Sequence, residues 1–342
     1  MDARAFEDAN AACGLLPGPA STQLAIFCAY RVAGTPGAIV GGLGFVVPAV
    51  GLILALSVLF LGHAPPLWVR GAGAGAGAAV AAVAVHAARG LLGPSYMRVR
   101  ENAARTVRWL GYLAAGTVAA ALAGAYVVLA LLACGLIELV VQRRAWPVLR
   151  ANGTVAAFVP ATITTGGIGA LAWTAFKVGA LSFGGGFVII PLMQADAVHT
   201  YHWMTSSQFL DAVALGQITP GPVVATVAAV GYAAHGLAGG LLAAVIAFAP
   251  SFSFILLGGR RFERLRENTG ARAFLDGAGP AAIGAILGAA ITLATALSES
   301  WQFAVLAAAG AALLVLRRGV VQTLLGAAAV GVIAALAGAP LP

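Results

Sequence analysis

The sequence predicts an all-α, polytopic membrane protein of two homologous, inverted repeat halves, with broken helices and a re-entrant glycine-rich segment. Three observations predict it. Hydrophobic residues make up 61% of the 342-residue chain and charged residues 9%, and the mean hydropathy is +0.96. That balance fits serial membrane spans rather than one soluble core. Second, Pro-Gly-Pro occurs twice inside long apolar runs, at Pro17-Gly18-Pro19 and Pro220-Gly221-Pro222. Third, the surroundings of the two copies match. Phe6, Asp8, Ala9 and Ala11 precede the first as Phe209, Asp211, Ala212 and Ala214 precede the second, at an offset of 203. After the motif the offset is 202, and Tyr30, Gly34, Gly37 and Pro48 align with Tyr232, Gly236, Gly239 and Pro250. Alanine matches are cheap in this chain, but the Pro, Gly, Tyr and Asp matches are not. They indicate a diverged tandem duplication, with halves at 1–150 and 151–342.

Each element follows from local chemistry. Residues 5–31 read as a helix broken at the first Pro-Gly-Pro, because proline lacks the amide hydrogen and forces its predecessor out of the helical region. The second proline of the motif suits the first position of the next helix. Apolar runs follow at 38–61 and about 67–88, the latter carrying Gly-Ala-Gly-Ala-Gly-Ala-Gly (71–77), which permits close helix approach. A basic loop holds Arg89, Arg98, Arg100, Arg105 and Arg108, and the long run 111–141 is divisible at Gly124 into two short helices. Arg143, Arg144 and Arg150 open a polar linker to about 168. Residues 173–193 contain Gly184-Gly185-Gly186, a poor helix interior suited to a re-entrant loop. The second broken helix spans 206–232 and a further span 238–258. A loop with Arg260, Arg261, Arg264, Arg266 and Arg272 precedes spans at about 275–297, 301–316 and 320–338, with Arg317-Arg318 between the last two.

The net charge of +8 comes from arginines in short loops, as the positive-inside rule expects, and does not indicate nucleic-acid binding. Placing all four basic loops in the cytoplasm requires 111–141 to be a hairpin and 173–193 to enter and leave by one face. The approach to the first Pro-Gly-Pro then starts outside and that to the second inside, so the halves are inverted. Cys13, Cys28 and Cys134 lie far apart in apolar sequence and read as packing residues, not as a disulfide frame or metal site. No secretory signal is visible, as Met1-Asp2-Ala3-Arg4 leads into the first repeat.

Helix restarts leave free amides at Ala20 and Ser21, and at Val223 and Val224, where the helix dipole favours an anion. At this point the motifs resemble a known family. Phe176-Lys177-Val178-Gly179-Ala180-Leu181-Ser182-Phe183-Gly184-Gly185-Gly186, Gly216-Gln217-Ile218-Thr219-Pro220-Gly221-Pro222 and Leu15 through Ala25 resemble signatures of the chromate ion transporter family. The resemblance runs to about Pro250. It implies export of chromate, with sulfate as the related anion, across a bacterial inner membrane. Such members usually carry Phe-Gly-Gly before each Pro-Gly-Pro; here it precedes only the second.

A tetrahedral dianion in the bilayer must recover its hydration energy from fixed donors. The candidate binding residues are Gly18, Pro19, Ala20, Ser21, Thr22 and Gln23 of the first break; Lys177, Ser182, Gly184, Gly185 and Gly186; and Gln217, Thr219, Gly221, Pro222, Val223, Val224 and Thr226 of the second. Ser and Thr in membrane helices often bond their own backbone carbonyls instead. Lys177, the single lysine, reads as an anion counter-charge, as an internal ion-pair partner, or as a side chain snorkelling to headgroups. Asp8 and Asp211 read as interfacial residues near helix starts, with proton coupling as the alternative. Asp196, His199 and His202 read as an interfacial loop without metal. Substituting Gly18 or Gly221 by Val is expected to abolish transport, and Gly42→Ala to be mild.

No catalytic residue, metal or cofactor is expected. A membrane-embedded oxidoreductase is the alternative, but paired cysteines, haem ligands and a nucleotide fingerprint are all missing from the sequence. The expected partners are the chromate or sulfate oxyanion and membrane lipid, without nucleic acid, and a homodimer is left open.

Overall fold

The computed structural model describes Phe6, Cys13 and residues 18–62, 64–122, 124–143, 166–182, 186–258 and 268–342. Asp8, Pro17, Arg144, Arg150, Gly184, Gly185 and the arginines at 260, 261, 264 and 266 lie outside the described residues. Those described form eleven α-helices and no strand. They are α1 (Ala20–Phe60), α2 (Leu67–Met97), α3 (Ala103–Leu122), α4 (Val127–Arg143), α5 (Ile168–Leu181), α6 (Ile189–Gln194), α7 (Ser206–Ile218), α8 (Thr226–Gly258), α9 (Thr269–Thr295), α10 (Ser300–Leu314) and α11 (Val320–Leu336). Four helices are long and apolar enough to cross a membrane.

Helices α1 and α8 are each two arms joined by a tight reversal. The reversal in α1 is at Ala33 (φ −137°, ψ 24°) and Gly34 (φ 61°, ψ −148°), and in α8 at His235 (φ −144°, ψ 32°) and Gly236 (φ 63°, ψ −156°). Gly34 and Gly236 take a left-handed φ that a side chain would strain, which explains why glycine recurs at these matched positions. Beyond each turn the chain folds back on itself. Gly41 lies against Ala29, and a Cβ on Gly42 would stand 2.8 Å from Ile26 Cγ1; Gly240 likewise lies against Ala228. In a straight helix residues twelve apart stand ~18 Å from each other. The apolar runs at 38–61 and 238–258 are therefore separate spans, as the sequence predicts.

The second arms of the two hairpins, 35–60 and 237–258, run antiparallel. Gly42 faces Phe252 near one end of the pair and Gly240 faces Leu54 near the other. Gly42 is accordingly no ordinary position. A Cβ there would stand 2.5 Å from the Phe252 ring, so Gly42→Ala requires that ring to shift, whereas Gly44 and Gly51 have open space around them.

The glycine repeat of α2 serves two neighbours at once. Gly71 and Gly75 let α11 approach at Gly331, while Gly73 and Gly77 receive Asp211 and Leu210 of α7. Each pair is spaced by four residues and so shares a helix face. On the far side α9 packs against α3, with Gly116 and Gly284 removing side chains where backbones touch.

Run 111–141 is a hairpin divided by a 3-10 turn at Gly124–Tyr126, though its first helix starts earlier, at Ala103. Arg89, Arg105 and Arg108 are helical, so the loop proper between α2 and α3 is shorter than the sequence suggests. Buried Glu138 ties this hairpin together: it accepts two hydrogen bonds from Arg108 (2.8 and 3.1 Å), one from Tyr112 and one from Gln142.

The glycine-rich segment is re-entrant. Its ends meet where the Trp203 indole donates to Gly166 O at 2.9 Å. Between them the chain passes through α5, α6 and a π-helical turn, Ala195–Thr200, closed by Tyr201 N–H donating to Asp196 O.

Candidate functional site

Both breaks have the backbone that their prolines and glycines demand. Gly18 (φ 121°) and Gly221 (φ 139°) sit in the region that favours glycine. Pro19 and Pro222 are extended (φ −70°, ψ 106° and φ −75°, ψ 131°), and no side chain among the described residues caps the helices that restart after them. The second restart begins as a 3-10 turn, Val223–Ala225, with Ala225 N–H bonded to Pro222 O.

Each break lies against the partner half. A Cβ on Gly18 would stand 3.3 Å from Ser251 Oγ, and one on Gly221 would stand 2.5 Å from Ala49 Cβ. Ser251 and Ala49 are themselves equivalent at the offset of 202. The contacts are therefore reciprocal, as at an interface with two-fold symmetry. The Gly42–Phe252 and Gly240–Leu54 contacts place Ser251 opposite residue 43. The two contact points are thus about six residues, ~9 Å, apart along the arms. The re-entrant segment joins them: Ser182 O accepts the Gly18 N–H at 2.9 Å, and Gly186 (φ 91°) has Val223 Cβ 3.0 Å from where its own Cβ would be.

Polar groups gather here without partners. Thr22 Oγ1, Ser182 Oγ, Ser251 Oγ, Thr219 Oγ1 and Gln217 Nε2 are buried and make no hydrogen bond among the described residues. Thr22, Ser182 and Ser251 are each fully buried. Orphaned buried donors are uncommon, and several around one feature mark a place for a polar ligand. Gln23 is buried with its amide against Gly18.

Other candidates fall elsewhere. Ser21 is exposed, Ala20 and Val223 are half-buried, and Val224 is buried. Thr226 gives its hydroxyl to Val223 O at 2.7 Å and fills the space beside Gly216, so it locks the turn rather than offering a donor.

Lys177 is an internal ion-pair partner. Its Nζ lies 2.6 Å from Asp196 Oδ2, which also accepts from Thr174 Oγ1 at 2.8 Å, and 5.8 Å from the Trp173 ring centroid. Asp196 is 4% exposed, so it does not belong to an interfacial loop. The histidines and Trp203 around it look like a loop in sequence, but the π-helical turn aims the carboxylate inward. His199 and His202 are exposed, and no metal-binding group occurs among the described residues. Asp211 is half-buried. Its carboxylate presses on α2 where a Cβ on Gly73 would stand 2.6 Å from Oδ1.

Ser251 escaped the sequence reading because its counterpart is Ala49, so the repeat gave it no emphasis. The signal available was its place, directly after matched Pro250 in an apolar run.

Comparison with known proteins identifies relatives of the chain. The model of the family described as "Chromate transporter" matches residues 1–140 and 169–338. A chromate transport protein of Cupriavidus metallidurans is 33% identical over 96% of this chain and 83% of its own length. A chromate transport protein of Pseudomonas aeruginosa is 30% identical over 87% of this chain and 74% of its own. A probable chromate transport protein of Synechococcus elongatus is 30% identical over 81% and 71%. No solved structure matches the chain. With the duplicated breaks in place and a family model that extends over both halves, this multi-pass membrane protein belongs to the chromate transporter family.

Proposed function

We propose that the protein is a secondary transporter that exports chromate across the cytoplasmic membrane of a bacterium, with sulfate as a competing substrate. The anion sits between the two Pro-Gly-Pro breaks, at the interface of inverted repeats. The observation that carries this reading is the set of buried hydroxyls on Thr22, Ser182, Ser251 and Thr219 that have no partner among the described residues, beside two helix starts that no described side chain caps. Neutral donors and dipole ends can replace the hydration shell of a dianion without a permanent charge that would hold it too tightly. Lys177 acts as a positioning residue, anchoring the re-entrant segment through Asp196.

Antiparallel arms with reciprocal contacts support an inverted pair, whose two-fold axis lies across the arms and hence in the membrane plane. Movement of one hairpin against the other would expose the site to each side in turn. Nothing in the fold or the relatives favours the oxidoreductase alternative. The test is uptake of labelled chromate into inside-out proteoliposomes with no redox cofactor, with sulfate added as competitor. Saturable, sulfate-sensitive uptake is expected. Absence of flux, or conversion of chromate to a reduced chromium species by the purified protein, overturns the proposal.

A further inference from the structure

The last two helices leave a groove that the transport site does not use. Helices α10 and α11 enclose a cavity of about 720 Å³, floored by Val305, Ala309 and Ala327 and walled by Ala308 and Gly326. A Cβ on Gly326 would meet nothing within 4 Å. One end stops at Trp301, whose indole donates to Pro340 O at 3.0 Å, a side chain typical of the membrane interface. The other end opens on Arg318, next to Arg317, and both are exposed. Arg89 of α2 reaches the same end, where its Nη1 donates to Leu314 O at 3.1 Å. The ion pairs among the described residues engage none of these three arginines.

A concave apolar surface at membrane depth loses its dispersion contacts unless hydrocarbon fills it. Guanidinium groups at its mouth select what that hydrocarbon is attached to, since their paired N–H groups match phosphate. We propose that this groove binds one anionic phospholipid, its phosphate on Arg318, Arg317 and Arg89 and an acyl chain laid past Ala308 and Gly326 toward Trp301. A second copy of the chain is the poorer occupant. Packing two such hairpins face to face at the same depth would bring their arginines into like-charge contact.

The experiment titrates the purified full-length protein in detergent with dioleoyl-phosphatidylglycerol or dioleoyl-phosphatidylcholine and counts bound lipid by native mass spectrometry. One phosphatidylglycerol per chain is expected, with phosphatidylcholine at least tenfold weaker and glycerol phosphate unable to compete. Changing Arg317 and Arg318 to Gln should weaken phosphatidylglycerol ~30-fold, from the usual worth of two basic residues at an anionic surface. Gly326→Leu, which adds a side chain into open space, should expel both lipids while leaving the melting temperature unchanged. Equal affinity for the two lipids in the wild type overturns the proposal, as does phosphatidylglycerol binding that survives both variants. A disulfide between two copies through Ala308→Cys in vesicles, in a background lacking the native cysteines, assigns the groove to a dimer and overturns it too.

Discussion

Gly221 concentrates two constraints, a φ of 139° and the methyl of Ala49 at 2.5 Å from any added Cβ. A side chain must both enter an unfavoured conformation and push the partner arm away. Gly221→Val and Gly18→Val should therefore abolish chromate uptake in vesicles, whereas Gly44→Ala, with open space, should retain it. Normal flux in a well-folded Gly221→Val protein would move the anion to another place. Thr22 gives a sharper test because it separates stability from function. Its hydroxyl is buried and has no hydrogen-bond partner among the described residues, so Thr22→Val should leave the melting temperature equal or higher. The same change should raise the KM for chromate by about 10- to 100-fold, the usual worth of a hydrogen bond to a charged group. Loss of stability without change in KM would give Thr22 a structural role. The prolines and glycines of the breaks were legible in the sequence because their constraint is local to the backbone. Ser251 was not, since only the packing of the opposite half gives it meaning.

Among the elements, the re-entrant segment carries a buried ion pair in addition to its closure at Gly166 and Trp203. Lys177 and Asp196 side chains are 15% and 6% exposed, with 2.6 Å between them. Removing one partner strands the other away from water, at a cost of about 3–5 kcal/mol. Lys177→Gln should thus lower thermal stability by that order, and Lys177→Gln with Asp196→Asn should regain much of it. Unchanged melting in the single variant would mean that the pair contributes nothing to holding α5 against the turn at Ala195–Thr200. Three glycines and a polar stretch announced that the segment was irregular, and the closure at Gly166 and Trp203 agrees. Which carboxylate would turn inward was not legible. A π-helical turn rotates side chains by an extra residue, and no sequence pattern for it was available around Asp196. The glycine repeat of α2 was readable as a close-packing surface, but not its division between α7 and α11, which only the bundle specifies.

At the scale of the whole molecule, the repeat was visible as eleven matched residues, and its geometry as matched reversals at Gly34 and Gly236. If the halves are inverted, these reversals face opposite sides of the membrane. Thr35→Cys and Leu237→Cys, each at an exposed position just past its turn, should react with an impermeant maleimide from opposite faces. The assay needs a background without the three native cysteines. Labelling of both from one side would exclude inversion. The order of spans followed from hydropathy, but helix ends such as Met97 and Ala103 did not, because arginine-rich sequence at a membrane surface can continue a helix as readily as leave it.

The facing of Gly18 by a serine hydroxyl and of Gly221 by an alanine methyl makes the two breaks chemically unlike. A perfectly duplicated, inverted pair would look the same to an ion arriving from either compartment. Ser251 against Ala49 is one of several unmatched pairs at the breaks, with Thr22 against Val224 and Thr219 against Leu16 among the others, so the two breaks would differ in their hold on a passing anion. Exchanging the pair, as Ala49→Ser with Ser251→Ala, should change the ratio of chromate KM measured from the two faces of the membrane; an unchanged ratio would give the serine no part in the site.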